Sequence, residues 1–89
     1  MQKRTKVNVL KIFNVLKTHG SMHIRGIARI AKMNPITVSS LVNRLDYFFE
    51  TQNIEVVPGF KAKIVSLKDS NVTIKDVEKY LEVKKRIKG

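Results

Sequence analysis

The first half of the chain carries apolar residues at helical spacing. Between residues 5 and 19, apolar pairs recur every three positions with a polar stripe between them, which predicts an amphipathic helix. Gly20 is expected to end this helix, because glycine readily adopts the left-handed conformation of a helix cap. The same kind of spacing predicts a second helix from Ile24 to Lys32 and a third from Pro35 to about Phe49, capped by Asn34.

In the second half, two short apolar segments replace the helical spacing. Residues 54–57 and 61–67 predict two strands, joined by a turn at Pro58-Gly59. A last helix is predicted to begin near Thr73, with Asp76 completing a capping box. The element order is therefore α-α-α-β-β-α, which predicts an α+β fold that is mainly α with a small β-hairpin.

The segment from Ile24 to Asn43 has the residue types that a helix-turn-helix requires. The first helix of such a motif needs a small residue where the second helix crosses it, and Ala28 provides that residue. His23 is expected to cap the first helix. The apolar positions at which the two helices meet are occupied by Ile27, Ala31, Met33, Val38 and Leu41.

Through these residues the chain resembles the winged helix-turn-helix family of DNA-binding domains, notably MarR/ArsR-like and archaeal transcription regulators. The similar stretches are MHIRGIARIA and PITVSSLVNRLDYF, followed by a hairpin that looks like the family's wing. The resemblance covers residues 5–67. It implies a DNA-binding domain over residues 1–70, with the helix Pro35–Phe49 in the major groove, and a C-terminal helix over residues 71–89.

Three positions depart from the family's pattern. Lys32 stands where the turn often has glycine, which predicts a helical variant of the turn. Gly26, three residues after His23, stands where an acidic capping partner is common, so the start of that helix is weakened. The wing carries Lys61 and Lys63 but no arginine, which favours a phosphate contact over insertion into the minor groove.

Helix geometry assigns candidate roles on the third helix if it enters DNA. Asn43 can pair with an adenine edge, Ser39 and Ser40 can exchange hydrogen bonds with base edges, and Ile36 or Thr37 can contact a thymine methyl group. Arg44 is placed among the base-facing residues, with a phosphate as its alternative partner. Basic residues of the first two helices and of the wing are expected to hold phosphates, and the named candidates are Arg25, Arg29, Tyr47, Lys61 and Lys63. Tyr47 is assigned equally to nucleic acid and to the core, whereas Phe48 is assigned to the core.

The charge distribution points to a polyanionic partner. The 89 residues include 18 Lys and Arg against 7 Asp and Glu, a formal net charge of +11. Residues 1–45 contain no acidic residue, whereas residues 46–60 contain three acidic residues and no basic one. We therefore expect a double-stranded DNA-binding protein, with a role in transcription regulation as the leading interpretation. The alternatives are a sequence-independent architectural protein and a protein-interaction winged helix in a transcription or replication assembly.

Other functional classes find little support in the sequence. There is no cysteine, and the helix predicted over residues 5–19 ends between His19 and His23, which argues against a zinc site on them. No nucleophile–histidine–acid set or phosphate-cradling glycine loop is present. We expect no enzyme activity, cofactor, metal, membrane segment or small-molecule substrate. The expected location is the cytoplasm, in association with the nucleoid, or the nucleus in a eukaryote.

The predicted last helix has two apolar edges. Ile74, Val77 and Leu81 form an edge that is expected to pack on the domain. A second edge lies about 120° away by the 3.6-residue period, and it consists of Tyr80, Val83 and Ile87. We hypothesise that this second edge forms a homodimer interface, with ordinary amphipathic variation as the alternative.

Overall fold

Four α-helices and a three-stranded antiparallel sheet make up the described part of the chain. The computed structural model describes the backbone of residues 2–88 and the side chains of residues 2–86. The elements are α1 (Lys3–His19), β1 (Met22–His23), α2 (Ile24–Ala31), α3 (Pro35–Arg44), a 3-10 helix (Asp46–Phe48), β2 (Phe49–Val57), β3 (Phe60–Leu67) and α4 (Ile74–Lys88). The strand order is β1-β3-β2. The predicted α+β class is therefore confirmed.

Three of the predicted helix boundaries follow from their capping residues. Gly20 ends α1 with a φ of 80°. The Asn34 side chain accepts a hydrogen bond from the Ile36 amide at 2.8 Å, which satisfies one of the free donors at the start of α3. The Asp76 carboxylate accepts a 2.9 Å hydrogen bond from the Thr73 amide, as the capping box requires.

The turn between α2 and α3 differs from the prediction. Lys32 adopts a left-handed conformation (φ 56°, ψ 50°), so the predicted helical variant of the turn is wrong. The Met33 amide donates to the Ala28 carbonyl oxygen at 2.9 Å, which closes α2 as a glycine-type cap does. His23 occupies the predicted N-cap position of α2, although its side chain makes no capping hydrogen bond. A Cβ atom at Gly26 would lie 2.9 Å from the His23 ring, which is too close. The packing of His23 therefore explains why this position has glycine.

The third helix is shorter than predicted. It ends at Arg44 instead of Phe49, because Leu45 leaves the helical conformation (φ −113°, ψ 33°). The 3-10 helix then places Phe48 in the core, and Phe49 begins β2 while also buried. The apolar spacing correctly predicted that the residues after Arg44 contribute to the core, but it predicted the wrong backbone conformation for them. A 3-10 helix followed by a strand buries Phe48 and Phe49 in place of a continued α-helix.

The β-hairpin is longer than predicted, and the sheet has an additional strand. β2 begins at Phe49 instead of residue 54, and its residues from Glu50 to Val57 are all exposed. Gly59 has a φ of 84°, as the predicted turn requires. The short strand β1 pairs with β3 through Met22 opposite Val65, which the sequence did not predict. Two residues are too few for a strand period to appear in the sequence.

One hydrophobic core joins the helices to the base of the sheet. Phe13, Ile27, Val38 and Val65 are all at most 1% exposed, and they come from α1, α2, α3 and β3. Val77 of α4 is fully buried in the same cluster. No polar or charged residue is buried among the described side chains. Apolar burial is therefore the main term that holds the fold together.

Helix α4 is fixed to the body by polar contacts as well. The Lys17 amino group donates a 2.8 Å hydrogen bond to the Val72 carbonyl oxygen, which ties α1 to the segment before α4. Lys6 and Glu78 form an ion pair at 2.9 Å between α1 and α4, with both side chains 44% exposed. Lys17 and Lys6 therefore have partners within the protein.

Candidate nucleic-acid interface

The face of α3 opposite the core is open and mainly polar. Ile36 is 78% exposed at the start of the helix. Ser40, Asn43 and Arg44 are exposed along the same helix. The structure places the remaining two base-facing candidates, Thr37 and Ser39, at partly exposed positions.

Asn43 is linked to the hairpin. The Lys63 amino group donates a hydrogen bond to the Asn43 Oδ1 atom at 3.1 Å, across exposed surface. An ammonium group can only donate, so the amide oxygen must face Lys63. The Asn43 amide nitrogen and one lone pair of its oxygen stay available for a second partner.

A basic groove lies beside the first turn of α3. The groove has a volume of about 940 Å³ and is lined by residues from the start of α1, the α2–α3 turn and α3 itself. Its basic side chains are Lys3, Arg4, Lys11 and Lys32, and none of the described lining residues is acidic. Thr37 of α3 lines the same groove. Cationic side chains and a base-facing candidate are thus brought together at one place.

The basic groove residues were not named individually as phosphate contacts, although basic residues of the first two helices were expected to hold phosphates. Lys3 and Lys11 are eight positions apart on α1, close to two helical turns, so the helical period alone places them on one face. This signal was present in the sequence. What the sequence could not indicate is that the left-handed turn brings Lys32 to the same groove.

The predicted phosphate contacts occupy other positions. Arg25 and Arg29 are exposed on α2, and neither lines the groove. Lys61 is exposed on β3, opposite Glu55 of β2. Lys63 is partly exposed and contacts Asn43. The structure therefore separates the α2 candidates from the groove, while it brings Lys63 to α3.

Tyr47 is engaged by an aromatic partner within the chain. Its ring stacks on Tyr80 of α4 with centroids 5.0 Å apart and an interplanar angle of 17°, although the residue is 62% exposed. Phe48 packs edge-on against Tyr80 at 5.3 Å and is 8% exposed, so its predicted core role is confirmed. These contacts join the end of the α3 region to α4.

The residues of the second apolar edge of α4 differ in their surroundings, because Tyr80 packs within the chain and Val83 does not. Tyr80 packs on Tyr47 and Phe48, so the premise that it lacks a partner within the chain is wrong. Val83 is 46% exposed and retains the character of an open apolar position. The side chain of Ile87, the third predicted interface residue, lies outside the described residues.

The tip of the hairpin exposes apolar side chains. Val56, Val57 and Phe60 are 62%, 54% and 61% exposed, and they surround the Pro58-Gly59 turn. A register irregularity between Glu55 and Val57 interrupts the ladder at this point. The sequence predicted a wing whose only notable side chains were lysines, and it missed this apolar tip.

The ion pair between Lys6 and Glu78 changes the ionisation of its carboxylate. The Lys6 ammonium, through a hydrogen bond and its charge, lowers the pKa of Glu78, and this pair lies on the α1–α4 contact. Across the described residues, no group of three or more His, Cys, Asp or Glu side chains could hold a metal ion. No helix in the described part of the chain has the length and apolar character to cross a membrane.

Comparison with known proteins gives no further guide to this site. No family model matches the chain, and neither a curated protein nor a solved structure matches it.

Proposed function

We propose that this chain is a winged helix-turn-helix protein that binds double-stranded DNA, with α3 in the major groove. The observation that carries the proposal is the continuity of the exposed α3 face with the basic groove, through Thr37. Charge and base-edge chemistry then meet along one helix. The described fold, in which the helices α1, α2 and α3 are followed by the β-hairpin, is compatible with this arrangement.

In this proposal the two kinds of contact have separate roles. Lys3, Arg4, Lys11 and Lys32 neutralise phosphates beside the start of α3 and set the register of the protein on the duplex. The exposed side chains of α3 then read base edges, with Asn43 as the candidate for adenine. Lys63 holds the Asn43 amide from the hairpin side.

The mixed character of the α3 face favours a sequence-specific regulator over a general coat. A coat needs only cationic side chains, whereas α3 presents serine, threonine and asparagine at exposed or partly exposed positions. These residues are poor helix formers, so their presence along α3 is better explained by contacts with bases than by stability. We therefore propose a transcription regulator, acting wherever the cell keeps its DNA.

Selection of bound duplexes from a random pool at two salt concentrations tests the proposal. A sequence-specific regulator enriches one motif at both concentrations, and its affinity falls steeply with salt. Binding without enrichment would favour the architectural alternative. No binding even at low salt would refute the proposal and favour the protein-interaction alternative.

A matched pair of lysine variants tests the groove. Lys11→Gln removes a groove charge, and the slope of log affinity against log salt is expected to fall by about 0.9. Lys79→Gln is the control, since Lys79 is an exposed residue of α4 that lines a different cavity. Equal slopes for the two variants would remove the groove from the proposed interface.

A further inference from the structure

The hairpin tip is unusual because its apolar side chains are exposed while charges stand behind them. Val56, Val57 and Phe60 are each more than half exposed around the Pro58-Gly59 turn. Grouped apolar exposure of this kind marks an interaction site more often than chance. Polar turn residues would have served a merely connecting hairpin.

The hairpin behind the tip carries two glutamates and two lysines, and one of the lysines contacts α3. Lys61 lies directly opposite Glu55, and the Glu55 carboxylate also accepts a 3.2 Å hydrogen bond from the Gly59 amide, so the one acidic group near the tip is offset locally. Lys63, on the same strand, contacts α3 through its hydrogen bond to Asn43. The tip thus has an apolar end, and its stem is joined to α3 by Lys63.

The reach of the hairpin fits neighbouring grooves of one duplex. Phe60 lies three residues beyond Lys63 along β3, or roughly 10 Å at the rise of a strand. The Lys63–Asn43 hydrogen bond places Lys63 at the face of α3. With a major groove about 12 Å wide and a minor groove about 6 Å wide, the centres of adjacent grooves are separated by about 9 Å plus one backbone. The length from the α3 contact to the tip, with the Lys63 side chain added, is comparable to this separation.

We propose that the hairpin tip, with Phe60 as its main side chain, inserts between base pairs from the minor groove and bends the DNA. This inference rests on the proposed function. Apolar residues at the tip of an element act as wedges in minor-groove proteins, where they unstack a base step and kink the duplex by about 20–90°. It replaces the expectation from the lysines alone, which was a phosphate contact.

A labelled duplex tests the wedge directly. The probe is a mixed-sequence duplex of about 30 base pairs with a dye at each end and 2-aminopurine beside a flexible TA step. Binding of the full chain is expected to bring the ends closer and to raise the 2-aminopurine fluorescence. Phe60→Ala is expected to lose both signals and about tenfold in affinity, whereas Phe60→Leu keeps them because it stays apolar.

Ile30→Ala is the matched control, since Ile30 is an apolar residue of α2 that is 45% exposed and lies outside the hairpin and the groove. Its signals are expected to equal those of the unaltered chain. Circular dichroism checks that Phe60→Ala is folded, which its 61% exposure favours.

The outcomes separate this inference from the proposed function. Binding without bending, or equal bending by Phe60→Ala, would overturn the wedge and leave DNA binding intact. Loss of self-association by Phe60→Ala in sedimentation, with bending unchanged, would assign the tip to a protein contact and overturn the wedge as well. Absence of duplex binding by the unaltered chain at low salt would refute the proposed function, and the wedge with it.

Discussion

The Lys63 amino group donates a hydrogen bond to the Asn43 Oδ1 atom at 3.1 Å, so the hairpin and α3 meet through two side chains that the sequence assigned to separate roles. The contact fixes which way the amide faces, because the ammonium group has only donors. Lys63 therefore orients the Asn43 amide, and in the proposed function it does so for a base edge.

A double-mutant cycle tests this orientation. Asn43→Ala is expected to weaken binding to a selected duplex by about 1–3 kcal/mol and to relax its sequence preference. Lys63→Ala is expected to weaken binding to all sequences and also to reduce the sequence preference in part. Because the two residues act together, the double variant should lose less than the sum of the single losses. Fluorescence anisotropy with selected and scrambled duplexes provides the measurement.

Lys61→Ala is the matched control for this cycle, since Lys61 is on the same strand and lies opposite Glu55. Its loss of affinity should add to that of Asn43→Ala. Additive losses for Lys63 as well would show that it does not position Asn43. An unchanged sequence preference in Asn43→Ala would remove α3 from the reading of bases.

Lys32 is expected to lower the stability of the fold and to raise its affinity for DNA. Its left-handed conformation costs a residue with a Cβ atom about 1 kcal/mol relative to glycine, and its side chain lines the basic groove. Lys32→Gly is therefore expected to raise the free energy of unfolding by about 1 kcal/mol while it weakens DNA binding. Urea unfolding and anisotropy measure the two effects.

Lys32→Asn separates the two effects, because asparagine tolerates the left-handed conformation and carries no charge. It should match Lys32→Gly in lost affinity and gain less stability. A glycine variant that is less stable than the unaltered chain would contradict the left-handed turn.

Tyr80 and Val83 should differ although both belong to the second apolar edge of α4. Tyr80→Ala removes the contacts with Tyr47 and Phe48 and is expected to lower the free energy of unfolding by about 2 kcal/mol. Val83→Lys changes an exposed position, so the fold should keep its stability within about 0.5 kcal/mol.

The Val83→Lys variant also tests the hypothesised homodimer. Val83→Lys is expected to convert a dimer to a monomer in sedimentation at micromolar concentration, since a charge would be placed in the interface. A chain that is strictly monomeric, with sedimentation unchanged by Val83→Lys, would refute the homodimer.

The Lys6–Glu78 ion pair predicts a pH dependence of stability. The hydrogen bond and charge of Lys6 lower the pKa of Glu78 below its ordinary value of 4.5, so the folded state favours the carboxylate. The stabilisation is present above pH 4.5 and is lost as the pH falls through the lower pKa of the folded protein. Glu78→Gln should therefore reduce stability near neutral pH and not in strong acid.

Urea midpoints at several pH values measure this effect, which should be small and should fade in about 1 M salt, where the screening length is about 3 Å. Glu82→Gln is the control, because Glu82 pairs with Arg86 one turn along α4 and joins no second element. Equal pH profiles for the two variants would show that the Lys6–Glu78 pair does not contribute.

The sequence predicted those features that depend on local chemistry. The cap at Asn34, the capping box of Thr73 and Asp76, and the positive φ of Gly59 each follow from residue types a few positions apart. The buried stripe of α3 followed from periodicity, and Val38 and Leu41 are buried as expected.

Features that depend on distant parts of the chain were missed. β1 is a strand only because Met22 and His23 pair with Val65 and Ile64. The polar residues of β2 show no alternation, because that part of the hairpin leaves the core and both its faces are exposed. A period in the sequence reports burial, so it is silent where a strand buries neither face.

The candidate site also combines residues that local sequence predicts with residues that only the tertiary fold brings together. The α3 residues could be named from helix geometry, whereas the groove depends on how the start of α1 packs beside the α2–α3 turn. The Tyr47–Tyr80 stack likewise joins residues 33 positions apart, so nothing local indicates it.

The exposed strand β2 has a consequence for handling the protein. It lies at the edge of the sheet, and its nine residues include no lysine or arginine to discourage pairing with another strand. The net charge of +11 keeps copies apart only while it is unscreened. Concentrated salt, which strips co-purified nucleic acid from a basic protein, also removes that repulsion, so purification in high salt is where edge-to-edge aggregation should begin.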